Sequence, residues 1–156
     1  MKNILTAAAL CLALSACKSE VPLDVVAEGG EVYFVLESER EISSVRVSPA
    51  AGAPALLWEA RHDMTTPLDK RRYPRLKVIR YGQKFEEFPV AVGPLELARN
   101  TEYVVAMETG DSFAQETFLI DAEGKAVMPK PAFKRQRGRV YSAERGPDGK
   151  LEFRAK

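Results

Sequence analysis

Cysteine is scarce in this chain, and its positions exclude several kinds of stabilisation and chemistry. Cys11 and Cys17 are the only two cysteines among the 156 residues. The chain after residue 17 therefore offers no thiol for a disulfide, a metal site or thiol catalysis. We expect a body that is stabilised by packing alone.

Histidine and the common catalytic motifs are also lacking. His62 is the only histidine, and on a strand its neighbour Asp63 would face the opposite way, so the two would not form a dyad. One histidine cannot supply ordinary catalytic zinc ligation. Glu86 and Glu87 would diverge in the same way, and no G-x-S-x-G, P-loop or glycine-rich nucleotide motif occurs. We therefore predict a protein that is not an enzyme and that binds no metal.

No apolar run reaches the roughly 20 residues that a membrane-spanning helix needs. The run Ile4–Leu14 is shorter and follows the positively charged Lys2. A short apolar stretch behind a basic residue at the N-terminus is typical of a secretory signal.

The sequence Leu14-Ser15-Ala16-Cys17 resembles the lipobox of bacterial lipoproteins. The resemblance implies a diacylglyceryl thioether on Cys17, cleavage before it and acylation of the new N-terminus. This covalent lipid is the only attached group that we predict, with residues 1–16 as signal peptide and 17–21 as a lipidated N-terminus and short tether. Gram-negative lipoproteins retained in the inner membrane commonly have aspartate after the cysteine. Lys18 stands there instead, which implies the periplasmic face of the outer membrane.

Between residues 22 and 124, apolar residues alternate in short runs separated by Gly, Pro, Asp and Asn. Val45 and Val47 share one face of such a run, and Tyr103, Val105 and Met107 share one face of another. Short alternating runs predict an all-β domain, an antiparallel sandwich. The candidate strands are 24–27, 31–37, 44–48, 56–61, 76–81, 88–92, 101–108 and 117–120.

One stretch, Pro94-Leu95-Glu96-Leu97-Ala98-Arg99-Asn100-Thr101-Glu102-Tyr103-Val104-Val105, resembles the E–F corner of fibronectin type III and related immunoglobulin-like sandwiches. The resemblance implies that the Tyr103 hydroxyl bonds back to the turn backbone. It also implies that Trp58 is the central core aromatic residue. A transthyretin-like sandwich is the alternative that the strand pattern leaves open.

The order of several short features is also similar to that of a class of uncharacterised Gram-negative lipoproteins. That similarity implies the fold and the location, and it implies no activity. The features are Leu57-Trp58-Glu59, Ile79-Arg80-Tyr81-Gly82, the corner from Leu97 to Tyr103, Phe118-Leu119-Ile120-Asp121 and Gly124.

The two parts of the chain differ in charge. Residues 18–124 contain 12 basic and 19 acidic residues, whereas residues 125–156 contain 10 basic and 3 acidic residues. The balances of −7 and +7 predict a basic C-terminal arm drawn to anionic surfaces. Within the arm, Pro147-Asp148-Gly149 separates two alternating runs and predicts a β-hairpin.

Two basic clusters are the candidate binding sites. Arginine forks bind phosphate and carboxylate groups, and an aromatic ring beside them would add stacking. One cluster lies in the basic arm, and its residues are Lys134, Arg135, Arg137 and Arg139. The other is in a loop of the sandwich, and its residues are Lys70, Arg71, Arg72, Tyr73 and Arg75.

These features together predict a lipid-anchored module that binds protein partners or assists envelope assembly. Its partners would be the membrane, through the anchor, and a protein or an anionic envelope surface; we expect no nucleic acid. Strand addition to an exposed sheet edge is a plausible mode of binding. The alternative is an immunity or inhibitor lipoprotein that blocks a toxin or a lytic enzyme.

Overall fold

A computed structural model of the chain describes residues 18–52, 55–127 and 147, together with the backbone of 141–145 and 151–155. Within these residues, the alternating runs of the sequence form twelve β-strands and one short 3₁₀ turn. The predicted signal peptide, Cys17 and the four arm residues Lys134, Arg135, Arg137 and Arg139 lie outside the described residues. The strands are β1 Ser19–Glu20, β2 Leu23–Glu28, β3 Glu31–Glu41, β4 Ser44–Pro49, β5 Trp58–Arg61, β6 Arg75–Arg80, β7 Val90–Val92, β8 Thr101–Thr109, β9 Ser112–Ile120, β10 Ala126–Val127, β11 Tyr141–Arg145 and β12 Leu151–Ala155.

The first ten strands form two sheets. One has the order β1-β9-β8-β4-β5-β7, with β10 also paired to β9, and the other has the order β2-β3-β6. Strands β2, β3 and β6 take the places of A, B and E of an immunoglobulin-like sandwich, and β4, β5, β8 and β9 take those of C, C′, F and G. The predicted all-β, immunoglobulin-like class is therefore confirmed. The predicted hairpin is also present, since β11 and β12 pair antiparallel from Tyr141 opposite Ala155 to Arg145 opposite Leu151.

The core lies between the two sheets, and aromatic side chains of one sheet contact those of the other. Phe34 of the three-stranded sheet stacks on Trp58 with ring centroids 6.4 Å apart and packs at 5.8 Å against Phe118. Trp58 has no exposed surface, as predicted for the central aromatic residue. Val45 and Val47 are likewise fully buried. Period-two alternation therefore identified the inward face correctly, because successive side chains of a strand point to opposite faces.

Both ends of the sandwich reach beyond the predicted limits of 22 and 124. Ser19 and Glu20 pair in parallel with β9, and the amide of Val21 donates to the carbonyl of Phe113 at 2.8 Å. Part of the segment predicted as a short tether, residues 17–21, is therefore paired with the sheet. At the other end, Ala126 pairs opposite Ile120. Strands β1 and β10 thus form hydrogen bonds with backbone groups of β9 that would otherwise be exposed to solvent at the edge of the sheet.

Strand register places particular residues at each end of the sandwich. Ser19 lies beside Ser112, and Ser44 lies between Glu108 and Arg61. We call this the proximal end, because the chain enters the body there. The opposite, distal end contains the tyrosine corner and the C-terminal end of β9. No helix in the described part of the chain is both long and apolar enough to cross a membrane.

Candidate functional site

The predicted basic loop connects β5 to β6 at the proximal end. Arg61 ends β5 and Arg75 begins β6 opposite Glu41, and residues 62–74 between them include the 3₁₀ turn Leu68–Lys70. We call residues 62–74 the proximal loop. Because it joins strands from different sheets, it covers this end of the core.

His62 holds the two ends of the proximal loop together. It is buried, its Nε2 lies 2.7 Å from the carbonyl oxygen of Arg72, and the Arg72 amide lies 3.2 Å from the same nitrogen. Either neutral tautomer therefore finds a partner in the Arg72 backbone. The ring also packs edge-on against Tyr73 at 5.2 Å and against Phe88 at 5.5 Å. These contacts give the single histidine a structural role.

Asp63 fixes the first turn of the loop. Its Oδ1 accepts hydrogen bonds from the amide and the hydroxyl of Thr65, both at 2.7 Å, and its carbonyl accepts from the amide of Thr66 at 3.0 Å. The hydrogen bond from the Thr65 amide is the main reason why the pKa of Asp63 is lowered. Aspartate is favoured at such positions because its short side chain can satisfy the backbone two residues on.

Two of the predicted anion-binding arginines brace the loop. Arg71 donates from Nε to the carbonyl of Thr66 at 2.9 Å and from a terminal nitrogen to that of Met64 at 3.2 Å. Arg72 donates from one terminal nitrogen to the carbonyls of Asp69 and Arg71, each at 3.1 Å. The guanidinium of Arg71 is therefore engaged with the backbone of the loop. Arg72 remains exposed and keeps its other nitrogens for a ligand.

Tyr73, the predicted stacking residue, is half-buried, and its side chain packs against the hydrophobic core as well as against His62. Lys70 and Arg75, in contrast, are exposed. Of the five predicted residues, Lys70, Arg72 and Arg75 thus present charge to solvent, while Tyr73 and Arg71 support the loop.

Sequence reasoning missed the apolar part of this surface. Met64 and Leu68 are 76% and 78% exposed, the two highest values among the four exposed large hydrophobic residues in the described part of the chain. The proximal loop therefore combines exposed apolar side chains with exposed cations. The sequence did contain a sign of this surface. Methionine and leucine occur in a run whose Asp, Thr, Pro and Lys residues predict a loop, where large apolar side chains are exposed.

A second feature that sequence reasoning missed is a groove at the distal end. Its volume is about 560 Å³, and its lining includes Tyr81, Leu95, Arg99 and Ile120. One side of it is the predicted corner, where the amide of Ala98 donates to the Tyr103 hydroxyl oxygen at 2.7 Å. That hydrogen bond confirms the prediction for Tyr103.

Hydrogen bonds between residues far apart in sequence lie along the distal groove. The Tyr81 hydroxyl donates to the carbonyl of Leu95 at 2.7 Å, and Arg99 donates to the carbonyl of Ala122 at 3.2 Å. Leu95 itself is 57% exposed. The lining comes from segments far apart in sequence, so no local pattern could have predicted it.

Within residues 18–52 and 55–127, no group of three or more His, Cys, Asp or Glu side chains is arranged to hold a metal ion.

Comparison of the chain with protein-family models, with curated proteins and with solved structures finds no match.

Proposed function

We propose that this protein is a lipid-anchored module of the cell envelope, at the periplasmic face of the outer membrane, which binds a partner without catalysing a reaction. The lipobox resemblance at Cys17 supplies the anchor. The observation that carries the proposal is the docking of the next residues on the body. Lys18 forms an ion pair with Glu108, and Ser19 begins β1.

This docking means that an anchor at Cys17 would hold the body directly against the membrane. One extended residue spans at most about 3.6 Å, and Lys18 is already in contact with the sandwich. An anchored body would therefore turn its proximal end towards the bilayer. The distal groove and the sheet edges would then face the periplasm, where a protein partner can reach them.

The edge of β6 is a suitable surface for such a partner. In the described part of the chain, β6 has a strand neighbour on one side only, and Lys77 and Arg80 along it are exposed. A partner segment could add to this edge as a strand. These two cations would favour an acidic segment, although Arg80 already pairs with Glu31.

The first test is the mass of the protein purified from membranes. A diacylated and N-acylated Cys17 as the first residue supports the anchor, and Cys17→Ala should abolish both the lipid mass and membrane retention. An unmodified thiol in a soluble protein refutes the proposal.

The second test concerns the partner. A photo-crosslinking residue at Lys77, exposed on the edge strand β6, should capture a protein in intact cells, whereas the same residue at Leu68 should not. A toxin or a lytic enzyme as the captured protein would favour the immunity or inhibitor alternative. An envelope component would favour assembly.

A further inference from the structure

We propose that the proximal loop is a second, non-covalent membrane contact, in which Met64 and Leu68 enter the interface of an anionic bilayer. The exposed cations Lys70, Arg72 and Arg75 would bind the lipid phosphates around them. The inference rests on the proposed function only for the position of the anchor. The loop has its own chemistry and its own test.

The loop and the predicted anchor lie at the same end of the body. Across the sheet, β1 and β5 are separated by β9, β8 and β4, and neighbouring strands lie about 4.8 Å apart. Lys18, just before β1, and Arg61, at the end of β5, are thus on the order of 19 Å apart across the proximal end of the sheet. A bilayer that receives a lipid from residue 17 therefore passes close to the loop.

The loop presents apolar side chains in a fixed geometry. Arg71 donates to the carbonyls of Met64 and Thr66, and His62 contacts the backbone of Arg72. A braced loop loses little conformational freedom on binding. Met64 and Leu68 are each more than three-quarters exposed, so their contact area is available without any rearrangement.

The charge of this region complements an anionic surface. Residues 61–75 include five basic and two acidic residues, although the sandwich as a whole is acidic. One acidic residue of the two, Asp63, accepts two hydrogen bonds from Thr65. Long basic side chains beside apolar ones are the pattern of interfacial membrane contacts, because their stems lie along the apolar layer and their heads reach the phosphates.

The test uses the full chain as the cell processes it, reconstituted into vesicles of phosphatidylcholine with or without phosphatidylglycerol. Leu68→Trp reports on the proximal loop, and Leu95→Trp is the matched control, an exposed leucine at the distal end. Trp58 is the only native tryptophan and is fully buried, so the parent protein supplies a constant background. The measurement is quenching of the new tryptophan by lipids brominated on their acyl chains.

We expect brominated lipid to quench the Leu68→Trp protein but not the Leu95→Trp protein, and anionic lipid to increase the quenching. Adding Lys70→Gln and Arg75→Gln should weaken loop insertion by about fivefold for each charge removed. Equal quenching at the two positions overturns the inference. So does a blue shift of the Leu68→Trp emission that grows with protein concentration in the Cys17→Ala protein without vesicles, because that protein carries no lipid and the shift indicates a protein contact.

Mass spectrometry of the same samples separates the two proposals. Lipidated Cys17 with no quenching at position 68 refutes the loop contact and leaves the anchor intact. An unmodified Cys17 with lipid-dependent quenching at position 68 refutes the anchor and supports the loop contact.

Discussion

Replacing Tyr103 by Phe tests whether the corner hydrogen bond stabilises the fold. The ring is 2% exposed and packs at 5.6 Å from Phe118, and phenylalanine keeps that packing. The substitution removes the acceptor that lies 2.7 Å from the Ala98 amide. A net hydrogen bond contributes about 1 kcal/mol, and an unpaired donor adds a penalty that water reduces here because Ala98 is exposed. We expect a loss of about 1–2 kcal/mol.

Urea unfolding followed by Trp58 fluorescence measures this loss. With a slope of about 2 kcal/mol per molar urea, the midpoint should fall by roughly 0.5–1 M with an unchanged slope. Tyr81→Phe is the control, because it removes one hydrogen bond at an exposed site, whereas the part-buried Tyr103 hydroxyl contacts both the amide and the carbonyl of Ala98. The control should lose no more than about 0.5 kcal/mol. Equal losses in the two variants would refute the reasoning that the Tyr103 hydrogen bond is the stronger stabilising contact.

Three further predictions concern single positions. Gly93 has φ +67°, and a Cβ there would lie 2.0 Å from the backbone carbonyl oxygen of Leu57. Gly93→Ala should therefore cost at least about 2 kcal/mol in thermal unfolding. Gly110→Ala, at φ +65° with nothing within 4 Å, should cost about 1 kcal/mol, and a smaller loss at position 93 than at 110 would contradict this account. Burial, then a hydrogen bond to a neighbouring carboxylate, raises the pKa of Tyr33 to about 12. The stability that the neutral Tyr33 hydroxyl contributes is therefore complete below pH 10 and is lost as the pH rises through 12. Tyr33→Phe should reduce the fall in unfolding free energy at alkaline pH. An unchanged fall would refute the assignment of this pH dependence to Tyr33. Asp63→Ala should speed hydrogen exchange at the Thr65 amide while leaving the global unfolding midpoint nearly unchanged, and unaltered exchange would show that the Asp63 side chain does not hold this turn.

Local patterns predicted the features that depend on neighbours in the sequence. Trp58 and Tyr103 were placed correctly because strand alternation and the Thr-x-Tyr corner are read over a few residues. The packing of Tyr73 in the fold could not be predicted from such local patterns. Its neighbours in the sequence are basic, but His62 and the core lie against it in the fold.

The all-β sandwich, its inward faces and the basic loop could be predicted from local patterns alone, because β-strand periodicity and turn residues act over short distances. Which charged side chains are engaged within the protein depends on the folded structure, since Arg71 donates to carbonyl groups of its own loop. The tertiary structure also decided that residues 18–20 dock on β9 and that a groove opens at the distal end. These features arise from strand pairing and contacts between distant segments, whose geometry exists only once the two sheets have packed together.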